Sequence, residues 1–370
     1  MKFALIYQVQ LPKPWTDVSE YQLFQNILAQ VSFAEEMGFE SVWFMEHHFA
    51  PEQSHSSAPD MILAALSQRT SKMRLGLAVV LTPVHHPLHT AERLATLDLL
   101  SGGRVELGVG RSGHPFQLTP FGVSLDDSRG MWEESLAILP KAWTEEVFAY
   151  QGKYYHVPPR EVVPKPLQRP HPPLWGACNQ EDTAYLTGQM GFGCLVITHR
   201  GVDRAHKLIS LYKEAISQAK PQGKFIHNRV AANTLAYCGK EREAARSRGA
   251  ELLDWYRQMQ RLREERNWRE VALEEVPEDY KFHLSKGADS GGGDNVTGRD
   301  LIEATRFPMG NPEDCIKFVE QFAAIGVEEL MFNFQLGPVT HAEVIESIRL
   351  FGEQVIPCFR KNHSNGAGTS

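Results

Sequence analysis

The chain has 370 residues, a net charge of −7 at pH 7, and ordinary hydrophobic and charged fractions of 42% and 22%. The acidic balance argues against a nucleic-acid-binding protein, because such proteins usually carry a basic domain. Five scattered cysteines without a CxxC pair argue against both a zinc ribbon and a disulfide framework. The apolar run at residues 3–9 is too short for a signal peptide or a membrane span, so we expect a cytoplasmic protein.

Strands and helices alternate through the first 110 residues, with short connections between them. Apolar runs predict strands, and apolar residues at helical spacing predict helices. The strands are predicted over 2–9, 41–46, 74–81 and 104–110, and the helices over 18–37, 61–69 and 88–100. Continuous apolar strands separated by helices are typical of a parallel sheet that is buried on both faces.

The same alternation continues, with longer gaps, through the second half of the chain. Strands are predicted there over 174–178, 193–197, 229–237 and 329–334, and helices over 129–143, 182–189, 204–218, 241–266, 314–324 and 342–355. Eight strands in alternation with helices predict an α/β fold that closes as a (β/α)8 TIM barrel with insertions. We expect residues 1–360 to form one barrel domain.

Three segments do not follow this alternation. The proline-rich residues 144–173 predict a hairpin and an extended excursion from the barrel. The polar, glycine-rich residues 282–299 are long for a loop in a compact domain, and we expect them to belong to a mobile lid over 270–305. The polar tail 361–370 is predicted to be disordered.

Glu46, His47 and His48 lie at the carboxyl end of the second predicted strand. In parallel α/β folds this end faces the active site, and histidine titrates near neutral pH. The trio is therefore a candidate for proton abstraction or for stabilising a developing anion. The alternative is a pair of histidines satisfied by backbone carbonyls in a loop. A metal site is not expected, because no HExxH or similar spacing is present and adjacent strand residues point to opposite faces.

Residues 108–113 read Gly-Val-Gly-Arg-Ser-Gly and match the pattern GxGxxG. A dinucleotide-binding turn opens a helix in the first βαβ unit, whereas this motif ends the fourth strand and precedes His114 and Pro115. The glycines would instead let a flat ligand approach the backbone, and Arg111 would supply a cation for a phosphate.

Two further segments are candidate phosphate sites. Arg129 follows Asp126 and Asp127 at a helix start and could form a clamp with Arg111, although a solvated arginine behind a helix cap is the alternative. Residues 176–182 form a strand-to-helix turn, and late turns of β/α barrels often bind phosphate through helix N-terminal amides. An ordinary helix cap is the alternative for this turn.

Together these motifs resemble the bacterial luciferase-like flavin-dependent monooxygenases, which are (β/α)8 barrels. The resemblance is carried by residues 43–49, 76–87, 91–104, 108–111, 121–129 and 172–176, which occur in the family's order. Jointly the motifs are specific, and the similarity extends over nearly the whole chain.

The resemblance implies a two-component monooxygenase. Reduced FMN would come from a separate NAD(P)H:flavin reductase, and dioxygen would add at the flavin C4a to give a peroxyflavin that oxygenates a small organic substrate. It also implies a homodimer without nucleic-acid or membrane partners. Two alternatives stay open: an F420-dependent oxidoreductase that transfers hydride, and a non-catalytic flavin-binding protein of the same fold.

The resemblance also assigns residues. His47, with Glu46 beside it, matches the catalytic acid/base motif, and Ala78-Val79 matches a strand bulge with a non-proline cis peptide under the isoalloxazine. The implied phosphate-side residues are Arg111, Arg129, Ala177, Cys178, Asn179, Gln180 and Thr183. The chain departs from luciferases at two points, since the segment 178–180 replaces a Glu-Ser pair and Gly110 stands where the family has a reactive cysteine.

Overall fold

The computed structural model describes residues 1–267, 276 and 296–360. Its strands are β1 (Lys2–Tyr7), β2 (Ser41–Phe44), β3 (Arg74–Leu81), β4 (Val105–Gly110), β5 (Phe148–Gln151), β6 (His156–Arg160), β7 (Leu174–Ala177), β8 (Gly193–Ile197), β9 (Val230–Leu235), β10 (Tyr237–Cys238), β11 (Met309–Gly310) and β12 (Glu329–Asn333). Eight of them form a closed parallel barrel in the order β1-β12-β9-β8-β7-β4-β3-β2. The predicted (β/α)8 TIM barrel is confirmed.

Helices connect these strands and surround the barrel. They are α1 (Ser19–Glu36), α2 (Pro59–Ser67), α3 (Pro87–Ser101), α4 (Pro115–Leu118), α5 (Leu125–Thr144), α6 (Glu181–Gln189), α7 (Val202–Ile216), α8 (Arg242–Asn267), α9 (Gly298–Glu303), α10 (Pro312–Ala324), α11 (His341–Leu350) and α12 (Ile356–Arg360). A π-helical turn, Phe351–Val355, joins the last two. In the described part of the chain, no helix combines the length and the apolar character that crossing a membrane requires.

Several helix ends differ from their predicted positions by a few residues. For example, α5 begins at Leu125 rather than at residue 129, because the Ser124 hydroxyl accepts a hydrogen bond from the Asp127 N–H at 3.1 Å. The added turn places Arg129 inside α5 rather than at its start.

Alternation along the strands separates the inside of the barrel from the helical layer. The interior is filled by Ala4, Ile6, Trp43, Trp175, Leu195, Ala231 and Met331. Two large rings cross this space, because Trp43 and Trp175 meet edge to face at 5.6 Å between ring centroids. A side chain at Gly76 would overlap the Trp43 ring, so this close approach requires glycine.

The amino-terminal end of the barrel is closed by buried carboxylates with partners. Trp43 Nε1 donates to Glu329 Oε1 at 2.8 Å, and Trp175 Nε1 donates to Glu106 Oε2 at 2.8 Å. Arg74 pairs with Glu106. Burial raises the pKa of Glu106. In a parallel barrel the functional site lies at the opposite end, formed by the carboxyl ends of the strands.

The peripheral segments are described in part. Strands β5 and β6 pair antiparallel within the predicted 144–173 excursion, which therefore contains the expected hairpin. Of the predicted lid over 270–305, residues 276 and 296–305 are described, including α9, and the rest lies outside the described residues, as does the tail 361–370.

Candidate functional site

The end of β2 sends consecutive side chains to opposite sides of the barrel wall. Met45 packs against the interior cluster, and the Met45 N–H still pairs with the Tyr7 carbonyl at 3.0 Å. Glu46 instead borders a small cavity of about 20 Å³ between β3 and the helices α2 and α3. His48 lies on the same side as Glu46, with which it forms a hydrogen bond, whereas His47 lies near Gln117 on α4 and Arg263 on α8. Adjacent residues in the sequence therefore occupy different environments.

Glu46 is the centre of a buried hydrogen-bond network. Its Oε1 accepts from His48 Nε2 at 2.8 Å and from His85 Nε2 at 2.6 Å, while its Oε2 accepts from the Leu81 N–H at 2.9 Å. An ionised carboxylate only accepts, so both histidines carry a proton on Nε2. Burial by itself raises the pKa of Glu46, but these hydrogen bonds outweigh it and lower the pKa to about 2. Glu46 is thus an anion that ties the end of β2 to the end of β3.

His47 has the opposite character. Burial lowers its pKa most, the Arg263 guanidinium on α8 lowers it further, and Gln117 and Glu46 act in the other direction, for a value of about 4. A neutral imidazole at pH 7 is able to accept a proton, which is the property that a general base requires.

The end of β3 contains an irregularity at Ala78 and Val79. The peptide bond between them is cis, as the resemblance implies. The register with β4 shifts between Leu77 and Val80. Both residues are partly exposed and pack against the interior cluster. This step therefore forms part of the inner wall of the barrel mouth.

The glycines of the 108–113 motif serve this step. A side chain at Gly108 would overlap the Leu77 carbonyl oxygen, and one at Gly110 would overlap Val79. The small size of these glycines therefore lets β3 lie close to β4 at this step. The approach of a flat ligand to their backbone stays a prediction.

The two predicted phosphate arginines lie in different settings. Arg111 directly follows β4 at the barrel mouth. Arg129 lies on α5 with a half-exposed side chain, and its Nε donates to Glu133 Oε1 at 3.1 Å across one helical turn. The position of Arg111 suits a ligand at the mouth, whereas Arg129 also contributes to the surface of α5.

The turn after β7 contains the remaining predicted cofactor residues. Ala177 aligns with the interior residue Leu195, and Asn179 is exposed. Cys178 is fully buried; its thiol donates to the Gly176 carbonyl at 3.4 Å and its N–H donates to the Leu195 carbonyl at 2.7 Å, so neither donor is available to a ligand.

The start of α6 uses Gln180 and Thr183 as a cap, since the Gln180 N–H donates to Thr183 Oγ1 at 3.1 Å. The Nε2 of Gln180 is buried without a hydrogen-bond partner in the described protein, and such a donor suits an anionic oxygen. However, the first turn also carries Glu181, which is paired with Arg204 at 2.6 Å and Lys207 at 2.8 Å. The first turn of α6 thus offers both an available donor and an anion whose charge is already compensated.

Helix α8 crosses the mouth of the barrel. Gln53, in the loop after β2, donates to the Met259 carbonyl, and Arg266 Nη1 donates to the Phe49 carbonyl at 3.2 Å. The Arg266 guanidinium also lies 5.9 Å from the centre of the Phe116 ring, beyond β4. These contacts hold the carboxyl half of α8 over the ends of β2 and β4, close to His47.

Three residues of this site were missing from the sequence-based assignment. His85 offered a signal, because it follows the third predicted strand as His47 follows the second. Gln117 and Arg263 offered none, since they reach the site only through the packing of α4 and α8.

Comparison with known proteins identifies similar enzymes. The chain is 24% identical over 369 residues to an alkanal monooxygenase alpha chain from Photorhabdus luminescens, covering 97% of this chain and 96% of that one. It is 26% identical over 218 residues to the oxygenase component of flavin-dependent trigonelline monooxygenase from Acinetobacter baylyi, covering 58% and 59% of the two chains.

Solved structures share the fold at low sequence identity. The monooxygenase RslO1 from Streptomyces bottropensis superposes with a TM-score of 0.78 at 24% identity, covering 97% of this chain and 100% of that one. The oxygenating constituent of 3,6-diketocamphane monooxygenase from Pseudomonas putida, solved with FMN, gives 0.75 at 20% identity, covering 96% and 98%. A coenzyme F420-dependent tetrahydromethanopterin reductase from Methanopyrus kandleri gives 0.65 at 19% identity, covering 97% and 99%. These likenesses establish the fold.

A family sequence model described as luciferase-like monooxygenase matches residues 2–329, which is most of the chain. This match agrees with the closed eight-stranded barrel and with the flavin-dependent relatives. The chain belongs to the luciferase-like monooxygenase family.

Proposed function

We propose that this chain is the oxygenase component of a two-component monooxygenase that uses reduced FMN and dioxygen to oxygenate a small organic substrate. The observation that carries the proposal is His47, an imidazole kept neutral at pH 7 that follows β2, together with the partly exposed Ala78-Val79 step on the neighbouring strand β3. A proton acceptor next to a flat, apolar wall suits chemistry on a flat, redox-active ring.

The residues at the mouth are compatible with FMN. Ala78 and Val79 present a small apolar surface on which an isoalloxazine could lie. At the other end, the buried Gln180 Nε2 without a partner and the Arg111 cation would hold a phosphate. The acidic residue Glu181 next to Gln180 is the least favourable feature, and its pairing with Arg204 and Lys207 reduces the repulsion.

Each residue at the mouth would have a separate role. Bound reduced FMN would supply the electrons that activate dioxygen. His47 would accept a proton at a nitrogen of its own imidazole ring and later return it. Glu46 would act as a positioning residue rather than a catalytic one, because its carboxylate is held by His48 and His85 on the outer side of the wall. Helix α8 would limit the access of water to the reacting atoms.

A separate NAD(P)H:flavin reductase would supply the reduced FMN, because the trigonelline relative is named as an oxygenase component. The protein would be a homodimer in the cytoplasm, with no nucleic-acid or membrane partner. Analytical ultracentrifugation of the purified protein tests the dimer, and reduced FMN supplied by an unrelated reductase tests whether electrons arrive with the free flavin.

The central test is anaerobic mixing of the protein and photoreduced FMN with oxygenated buffer in a stopped-flow spectrometer. We expect a spectral phase that delays the return of oxidised FMN and that requires the protein. Immediate reoxidation, at protein concentrations that bind FMN, would contradict the proposal.

The same preparation separates the alternatives. Oxygen-independent bleaching of F420 by a substrate would assign the chain to hydride transfer; a coenzyme F420-dependent reductase from Methanopyrus kandleri shares the fold. Binding of FMN with no reaction under either condition would indicate a flavin-binding protein.

A further inference from the structure

Asn333, the last residue of β12, points into the barrel. Met331, two residues earlier, belongs to the interior cluster. The residues between and after them, Phe332 and Phe334, face outward and pack on Phe351 with ring centroids 4.7 and 5.0 Å apart. Because side chains alternate along a strand, the Asn333 amide lies at the inner edge of the carboxyl mouth.

The Asn333 amide is buried without a hydrogen-bond partner. Its side chain belongs to a residue only 1% exposed, and neither Oδ1 nor Nδ2 has a partner among the described residues. Leaving a buried polar group unpaired is costly, so such groups are rare in folded proteins. An amide that offers an unused donor and an unused acceptor inside a candidate site indicates a ligand with the complementary pair.

The neighbouring amides do not share this property. The Gln10 N–H donates to Gln335 Oε1 at 2.8 Å, and Gln335 Nε2 donates back to the Gln10 carbonyl at 2.8 Å. Gln10 Oε1 in turn accepts from the Gly337 N–H at 2.8 Å. The side-chain amides of Gln10 and Gln335, in the loops that follow β1 and β12, thus have hydrogen-bond partners, whereas the amide of Asn333 has none among the described residues.

The strand order places Asn333 across the mouth from Arg111. In the ring of eight strands, β12 lies four positions from β4, which leads to Arg111, and three positions from β3, which carries Ala78 and Val79. The strand β2, which leads to His47, lies two positions from β12 and next to β3. Above the mouth, Gln260 on α8 is 2% exposed and its Oε1 also lacks a partner in the described protein.

We propose that Asn333 anchors the organic substrate, and that this substrate presents a carbonyl oxygen and an N–H donor side by side, as a lactam or another cis amide does. Asn333 Nδ2 would donate to the substrate carbonyl, and Oδ1 would accept from its N–H. This inference rests on the proposed function for the identity of the ligand as a substrate. The pyrimidine edge of a flavin has the same donor and acceptor chemistry, so the experiment must separate the two ligands.

The test compares the wild-type protein with Asn333→Leu, which keeps the branched shape and removes both polar atoms. Phe334→Leu, on the outer face of the same strand end, is the matched control for general disturbance. The probes are 2-piperidone, a six-membered lactam, and cyclohexanone, a similar ring without the N–H. Dissociation constants are measured for both probes with reduced FMN present under nitrogen, and separately for reduced FMN alone. The Tm of each ligand-free protein is also recorded.

We expect the wild-type protein and Phe334→Leu to bind 2-piperidone about five- to tenfold more tightly than cyclohexanone, as one additional net hydrogen bond would give. Asn333→Leu should lose this preference, bind reduced FMN as the wild type does, and have an equal or higher Tm, since an unpaired buried amide is removed.

Three results would overturn the inference: a lactam preference that survives Asn333→Leu, a lower Tm for that variant, or weaker binding of reduced FMN with the preference unchanged. The last result would assign Asn333 to the flavin edge. Failure of the proposed function is seen separately, as immediate flavin reoxidation by the wild-type protein, whatever the lactam preference.

Discussion

Neighbouring residues at the end of β2 differ in charge because of what surrounds them. Glu46 stays ionised, since His48, His85 and the Leu81 N–H all donate to it, and these bonds outweigh the effect of burial. His47 stays neutral, because burial and the Arg263 cation both disfavour its protonated form. The surroundings of each side chain therefore decide whether it is charged or neutral at pH 7.

We predict that His47→Ala keeps FMN binding but reduces turnover by a factor of about 10²–10⁴, the range for loss of a general acid or base. The measurement is the turnover rate under saturating reduced FMN, together with the dissociation constant of FMN. Unchanged turnover would remove His47 from the mechanism. An equal loss of FMN affinity would show that the imidazole serves binding instead.

The ends of β2, β3 and β4 meet at the mouth and depend on one another. The Glu46 network joins the first two, and the Ala78-Val79 step fits against Gly108 and Gly110 of the third. An element at the mouth is therefore positioned by its neighbours more than by its own sequence. A substitution at the end of one of these strands should therefore also affect the ends of the other two.

For the Glu46 network we predict that Glu46→Gln lowers the free energy of unfolding by about 2 kcal/mol, because hydrogen bonds to a charged acceptor become neutral ones and one oxygen is replaced by a donor facing the Leu81 N–H. Urea unfolding at pH 7 measures this change. A variant as stable as the wild type would show that the network does not depend on the charge.

For the end of β4 we predict that Arg111→Ala weakens FMN binding by about 1.5–3 kcal/mol, through loss of a charge-assisted phosphate contact. Fluorescence titration of FMN measures the dissociation constant. Arg129→Ala is the comparison, and we expect a smaller effect because Arg129 is half exposed and shared with Glu133. Equal losses would favour a two-arginine clamp, and an unaltered constant for Arg111→Ala would exclude its assignment.

The whole molecule is a closed barrel whose two ends differ. The amino-terminal end holds buried carboxylates with indole and guanidinium partners, while the carboxyl end collects His47, the Ala78-Val79 step and the unpaired Asn333. This division follows from the parallel arrangement, in which every connection returns the chain to the same end. The free energy of unfolding should therefore depend on pH through the buried groups whose pKa differs between the folded and unfolded states.

We predict that the free energy of unfolding falls as pH decreases from about 6.5 to 4. In this window His47 binds a proton in the unfolded chain but not in the folded protein, where its pKa is about 4. The unfolded state therefore binds more protons and is favoured as pH falls. His227 has a pKa lowered to about 4 by burial and contributes in the same window. A further loss follows between pH 4.5 and 2, where Glu46 of the unfolded chain binds a proton and Glu46 of the folded protein, with a pKa of about 2, does not. Urea unfolding at several pH values measures the slope, and His47→Asn should make it shallower between pH 6.5 and 4. An identical slope would show that His47 is not a buried neutral group.

Sequence reasoning recovered the strands because their apolar runs are local and continuous. The predicted and observed bounds agree for 74–81 and 193–197 and differ by a few residues elsewhere. The residue types at the end of β2 were also recognisable. The contact of Gly108 and Gly110 with β3 could not be predicted, because no local pattern reveals which strand lies beside them.

The eight-stranded barrel and the strand ends that carry the candidate site can be predicted from local apolar periodicities, which short segments of the sequence display. The partner that each side chain meets depends instead on how distant segments pack in the folded chain. Glu46 is joined to His85 across 39 positions, and His47 lies near Arg263 more than two hundred positions away. Such pairings depend on barrel closure and on the path of α8 over the mouth. The unpaired state of Asn333 is likewise a property of the assembled barrel, because a missing partner is defined only when every neighbour is in place.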